Sequence, residues 1–106
     1  MNIVWYPIDA SLNSLEEGII VPFFLGTKKI AVLKYQHTIY AFSEGCPHAG
    51  ESLCKGYLDN KGQVVCQKHH YRFDPATGRN TSGEGYKLKT YPVKQERGII
   101  FIGNYE

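Results

Sequence analysis

Apolar positions along this chain fall into strand-sized runs separated by turn residues, with little helical spacing anywhere. Ile3–Tyr6 reads as a first strand closed by Pro7. In Asp9–Glu17, Leu12 and Leu15 stand at helical spacing behind Asp9 or Ser11 as a candidate N-cap, which predicts at most one short helical turn, stopped at Gly18. Ile19–Leu25 and Lys28–Tyr35 read as two strands joined through Gly26-Thr27. Thr38–Ser43 returns with Thr38, Tyr40 and Phe42 on one face and Ile39 and Ala41 on the other. The Gln36-His37 link is a tight hairpin without glycine, and histidine tolerates positive φ well enough for His37 to be a plain turn residue. Toward the end, Tyr86–Thr90, Tyr91–Gln95 and Ile99–Ile102 read as strands, with Glu96-Arg97-Gly98 as the last turn. Trp5, Phe23, Phe24, Tyr40, Phe42 and Phe101 are expected in the core or packed on the sheets.

The middle breaks this pattern. Glu44 to Gly83 is loop-rich and punctuated by Gly45, Gly50, Gly56, Gly62, Gly78 and Gly83. Its only clear strand is Val64–Cys66, after the turn Asp59-Asn60-Lys61-Gly62. Phe73-Asp74-Pro75-Ala76-Thr77-Gly78 reads as an extended residue entering a turn that ends on glycine. Gly83-Glu84-Gly85 lacks the lysine, serine and strand-to-helix context of a phosphate loop and reads as plain loop. The prediction is an all-β domain of antiparallel strands spanning 1–106, a sandwich or barrel, with a loop-built insertion at about 44–83. Such insertions, held by a rigid scaffold, are where chemistry sits.

Composition narrows the classes. A chain of 106 residues makes one domain. With 42% hydrophobic and 21% charged residues, disorder of the whole chain is excluded. A net charge of +2 gives no reason to expect nucleic acid or a membrane surface as partner. The apolar runs Gly18–Leu25 and Gly98–Gly103 are too short to cross a bilayer. Met1–Trp5 lacks a basic start followed by a long apolar stretch, so the cytoplasm is the expected compartment. No Ser-His-Asp, paired-carboxylate or phosphate-loop pattern stands out.

The chemistry lies in two short elements, Cys46-Pro47-His48 and Cys66-Gln67-Lys68-His69, with seventeen residues between His48 and Cys66. Each offers one thiol and one imidazole, ligands for iron, zinc or copper. A closed zinc site takes such a set, but zinc fingers group their cysteines in one knuckle and their histidines on a helix. Interleaving makes sense if each loop touches two metals, giving its thiolate to one and its imidazole to the other. The third cysteine, Cys54, is left over; an odd count argues against a disulfide framework, and Cys54 reads as a small apolar residue near a loop or as a reactive or ligating thiol.

Around these elements the chain resembles the Rieske family. The resemblance rests on Cys46-Pro47-His48-Ala49-Gly50, Leu53, Gly56, Cys66-x-x-His69, Phe73-Asp74 and Thr77-Gly78. It extends to the hairpin Ile30–Tyr35/Thr38–Phe42 and to Tyr91-Pro92-Val93 with Ile99–Ile102. It implies a [2Fe–2S] cluster with Cys46 and Cys66 on one iron and His48 and His69 on the other. It also implies a one-electron carrier between a flavin-dependent reductase and a terminal oxygenase, monomeric or a subunit of a redox complex. A small subunit of a larger redox enzyme such as nitrite reductase is the second reading, and a structural zinc module the third.

The resemblance speaks to potential as well. Two neutral imidazoles in place of two thiolates remove negative charge, so the midpoint falls within roughly −150 to +300 mV. High-potential members tie the ligand loops with a disulfide whose cysteines would fall at Glu51 and Lys68, and bond the cluster sulfurs through serine and tyrosine hydroxyls at the positions of Tyr71 and Phe73. Phe73 has no donor and the Tyr71 hydroxyl lies too far out. Two lost bonds of about 1 kcal/mol each lower the midpoint by about 80–90 mV, which predicts a low-potential cluster. His70 departs from the family's usual glycine; it is either a competing ligand to His69 or a flanking side chain. Pro47, Ala49, Gln67, Lys68, His70 and Tyr71 are expected to rim exposed imidazoles as a mildly basic docking surface, unless Lys68 is only a solvated loop charge.

Overall fold

The computed structural model describes residues 2–48 and 50–106. Among the described residues ten strands form in chain order: β1 (Ile3–Pro7), β2 (Ile20–Leu25), β3 (Lys28–Tyr35), β4 (Thr38–Ser43), β5 (Tyr57–Leu58), β6 (Val64–Val65), β7 (Arg72–Phe73), β8 (Thr90–Tyr91), β9 (Val93–Glu96) and β10 (Ile99–Tyr105). They make three antiparallel sheets, ordered β1-β10-β9, β2-β3-β4-β8 and β5-β6-β7. The all-β antiparallel expectation holds.

The central sheet is covered on both faces, and this explains its composition. Strand β3 buries Ile30, Ala31, Val32 and Leu33 completely. Period-two alternation sends Ile30 and Val32, with Ile39 and Ala41 of β4, into one core beside Ile100 and Ile102. Ala31, Leu33 and Phe42 enter a second core with Leu53, Val64, Phe73 and Leu88 of the inserted segment and its flank. The insertion therefore packs on the back of the scaffold, and both thiols of the predicted site, Cys46 and Cys66, belong to this second core.

Turns follow local chemistry. Gln36 (φ 51°) and His37 (φ 61°) are both left-handed, the mirror-image turn that matches strand twist in a two-residue hairpin. Asp59 accepts the amides of Lys61 and Gln63 at 2.9 Å each, and Asp74 accepts that of Ala76 at 2.9 Å, so both aspartates build their own turns. Ser11 and Ser14 cap each other's amides at 2.8 and 3.2 Å, and the segment stays a single turn.

Four expectations need correction. Tyr86–Thr90 is not a strand; beyond a bridge between Arg79 and Lys87, pairing resumes only at Thr90. Tyr91–Gln95 is divided at Pro92, which lacks an amide for the ladder, and its two parts join different sheets. The last strand runs on to Tyr105 because β1 supplies a partner as far as Ile3. Phe24 is 63% exposed on edge strand β2 rather than packed.

Candidate metal centre

Two closed loops carry the four candidate ligands. In the first, the Cys46 amide donates to the Glu51 carbonyl and the Gly50 amide to the Cys46 carbonyl, both at 2.8 Å. In the second, the Cys66 amide donates to the Tyr71 carbonyl at 2.9 Å. Reversing direction so tightly forces His69 (φ 66°) and His70 (φ 59°) into left-handed backbone. Two glycines of the sequence pattern explain how the loops sit on the scaffold. A Cβ at Gly56 would lie 2.0 Å from the Val65 carbonyl oxygen, and one at Gly78 1.9 Å from that of Leu88. Only bare backbone fits at either place.

The side chains sort by type. The Cys46 and Cys66 thiols are buried and adjacent. Burial pushes the Cys66 thiol up, the Lys68 amide bonded to it acts the other way, and the Cys46 thiol adds to the rise. A bound cation reverses that preference by stabilising thiolate. The imidazoles form the second pair, with His48 and His69 ring centroids 5.1 Å apart. His69 is exposed and His48 half-buried. The ring that faces His48 is that of His69, not the His70 beside it. Cys54 is free and half-buried beside the second core, and its thiol is pushed up by burial.

Do these groups fit a metal cluster? His48 Nδ1 is buried with no hydrogen-bond partner, although a buried polar atom is nearly always satisfied. A ring nitrogen aimed inward and left free is a ligand atom in waiting. Among the described residues, no three His, Cys, Asp or Glu side chains converge on a single ion. Thiols on one side and imidazoles on the other suit two metal atoms better than one.

The family model of the Rieske [2Fe–2S] domain matches residues 4–92. The chain belongs to the Rieske family. Members of that family bind a [2Fe–2S] cluster, and the donor set here fits it. The chain is 27% identical over 93 residues to the ferredoxin component of the alkene monooxygenase system of Xanthobacter autotrophicus, covering 88% of this chain and 76% of that one. It superposes with a TM-score of 0.78 and 25% identity on the ferredoxin in a complex of reduced oxygenase and oxidized ferredoxin in carbazole 1,9a-dioxygenase, covering 87% of this chain and 95% of that one. At 18% identity, an NADH-dependent nitrite reductase small subunit from Mycobacterium tuberculosis shares the fold, with a TM-score of 0.88 over 100% of this chain and 99% of that one.

Of the expected Rieske rim, Pro47, Gln67, Lys68 and His70 are exposed and Tyr71 is half-buried; Ala49 lies outside the described residues. Sequence reasoning missed Tyr86, whose ring lies 5.5 Å from His48 and 5.8 Å from Tyr71. The one available signal was an aromatic residue directly after Gly83-Glu84-Gly85. Asn80 and Ser82, unremarked in the sequence, hold that loop through a hydrogen-bond network shared with Glu84.

Proposed function

We propose that the protein is a one-electron carrier in which Cys46 and Cys66 hold one iron of the cluster and His48 and His69 the other. The observation that carries this reading is the split between a buried thiol pair and an imidazole pair that reaches the surface. The cluster, when bound, takes up and gives back one electron. The chain does the rest. Packing in the second core keeps water from the thiols. Backbone hydrogen bonds closing each loop hold the segments that carry the four ligands. His69, exposed, is the edge a docked partner reaches first.

The partners in this reading are a flavin-dependent reductase and a terminal oxygenase. Support comes from relatives that are ferredoxin components of oxygenase systems, one of them solved in complex with its oxygenase. Exposed Lys68, Gln67 and Pro47 suit a weak, transient encounter, and an electron-transfer rate that falls with salt is expected. Three free cysteines accord with the cytoplasm, and no described helix is long and apolar enough to cross a membrane.

A second reading, the small subunit of a larger redox enzyme, draws on the fold shared with the nitrite reductase subunit. Purification separates the two. A carrier emerges alone, brown, with iron and acid-labile sulfide, and is reversibly reduced. A subunit emerges bound to a large partner. Colourless protein with zinc and no iron would sink both readings.

A further inference from the structure

The geometry points to Tyr86 as a positioning residue of this site, holding the His48 imidazole in its inward-facing orientation and keeping water from its edge. This rests on the carrier reading above. Three rings form a closed triangle: His48 to Tyr71 at 4.2 Å, His48 to Tyr86 at 5.5 Å edge-on, and Tyr71 to Tyr86 at 5.8 Å. The buried, unpartnered Nδ1 of His48 is the atom free to take a metal, so the orientation of the ring has to come from its other contacts. A metal-binding histidine is ordinarily oriented by an outer partner. Here the aromatic faces around it are what supply orientation.

Tyr86 is 40% exposed and follows a glycine-rich loop, so nothing in the scaffold beneath compels it to lie there. Asn80 supplies the missing constraint. Its side-chain amide nitrogen shares two N–H groups among three acceptors: the Arg72 carbonyl at 3.0 Å, Ser82 Oγ at 3.2 Å and Glu84 Oε1 at 2.9 Å. Its side-chain oxygen accepts the amides of Glu84 and Gly85, the latter at 2.9 Å. Gly83 (φ 90°) and Gly85 (φ 86°) provide the left-handed backbone that this wrapping needs. One asparagine thus ties the loop to strand β7, next to the second ligand loop, and delivers the residue after Gly85 onto His48.

The test compares Tyr86→Ala, Tyr86→Phe and Asn80→Ala with the wild-type holoprotein. The readouts are iron content, the rate of iron release to a chelator, and the midpoint potential. Tyr86→Ala is expected to fold and load iron, to lose it about fivefold faster, the rate equivalent of one aromatic pair of ~1 kcal/mol, and to show a higher midpoint. The midpoint rises because water admitted beside the imidazole favours the reduced state, which carries one more negative charge. Tyr86→Phe keeps the ring and should match wild type. Asn80→Ala should move in the same direction as Tyr86→Ala. Failure of Tyr86→Ala to load iron while Tyr86→Phe loads normally supports the same role. A Tyr86→Ala protein with wild-type iron content, release rate and midpoint overturns the inference and leaves the carrier reading standing. So does a Tyr86→Phe protein that behaves like Tyr86→Ala. Wild-type protein without iron or labile sulfide overturns both.

Discussion

The amide of Cys66 and the carbonyl of Tyr71 close the second ligand loop at 2.9 Å. The chain from Cys66 to Tyr71 must reverse direction within that bond, and His69 and His70 accommodate it with left-handed backbone. For L-residues this conformation costs about 1–2 kcal/mol each.

In the proposed ligand set His69 is needed for its ring, whereas His70 stands outside the facing pair of imidazoles and its strain serves no ligand. His70→Gly is predicted to raise stability by ~1 kcal/mol, because relief of strain outweighs the added freedom of the unfolded chain. Thermal unfolding should show this as a midpoint about 5 °C higher at unchanged iron content. Loss of the cluster in this variant would make His70 the ligand and refute the assignment of His69.

Gly78 sits at φ +79°, where a Cβ would lie 1.9 Å from the Leu88 carbonyl oxygen, and the Leu88 amide donates to the Gly78 carbonyl at 2.8 Å. The two backbones are pinned together and cannot part to admit a side chain. Gly78→Ala is predicted to cost ~3 kcal/mol through overpacking added to backbone strain. Gly83→Ala, at φ +90° but with open space around it, should cost only the strain, ~1 kcal/mol. Urea unfolding of the two variants checks the difference.

Glu84 is held below the usual carboxylate range, first by the Ser82 hydroxyl and then by the Asn80 amide, both donating to it. A carboxyl with a depressed folded value stabilises the protein above its unfolded value of about 4.3. That contribution is lost as pH falls through the folded value. The loop carrying Tyr86 should therefore loosen only in acid, below the ordinary carboxylate range. An NMR titration of the Glu84 carboxyl carbon is expected to show a depressed midpoint that returns toward the ordinary value in Ser82→Ala. An unshifted midpoint in wild type would contradict this.

Phe73 is fully buried in the second core and has no hydroxyl to offer a cluster sulfur. The midpoint of the wild-type protein is expected in the lower part of the range of roughly −150 to +300 mV found for mixed thiolate and imidazole ligation. A redox titration with a midpoint well above zero would show that other groups stabilise the reduced state.

How legible was all this in the sequence? Strands β3 and β4 match their expected bounds because continuous apolar runs end at turn residues on both sides. The metal-type elements were legible because thiol and imidazole have few other uses at such spacing. Tyr86 was not, because its position depends on Asn80 and Ser82 rather than on any periodic pattern. The strand expected at Tyr86–Thr90 failed because its partner is a loop: Lys87 makes only an isolated bridge to Arg79, and the Leu88 amide bonds the Gly78 carbonyl. The extension of β10 to Tyr105 depended on pairing with the far end of the chain, which local patterning cannot see.

EPR of the dithionite-reduced protein tests the central claim most directly. Ligation by Cys46, Cys66, His48 and His69 predicts a [2Fe–2S] signal whose average g lies below that of an all-cysteine cluster, lost in His69→Ala and kept in His70→Ala. Reduced, iron-containing protein with an all-thiolate signal, or with no signal at all, would contradict the account.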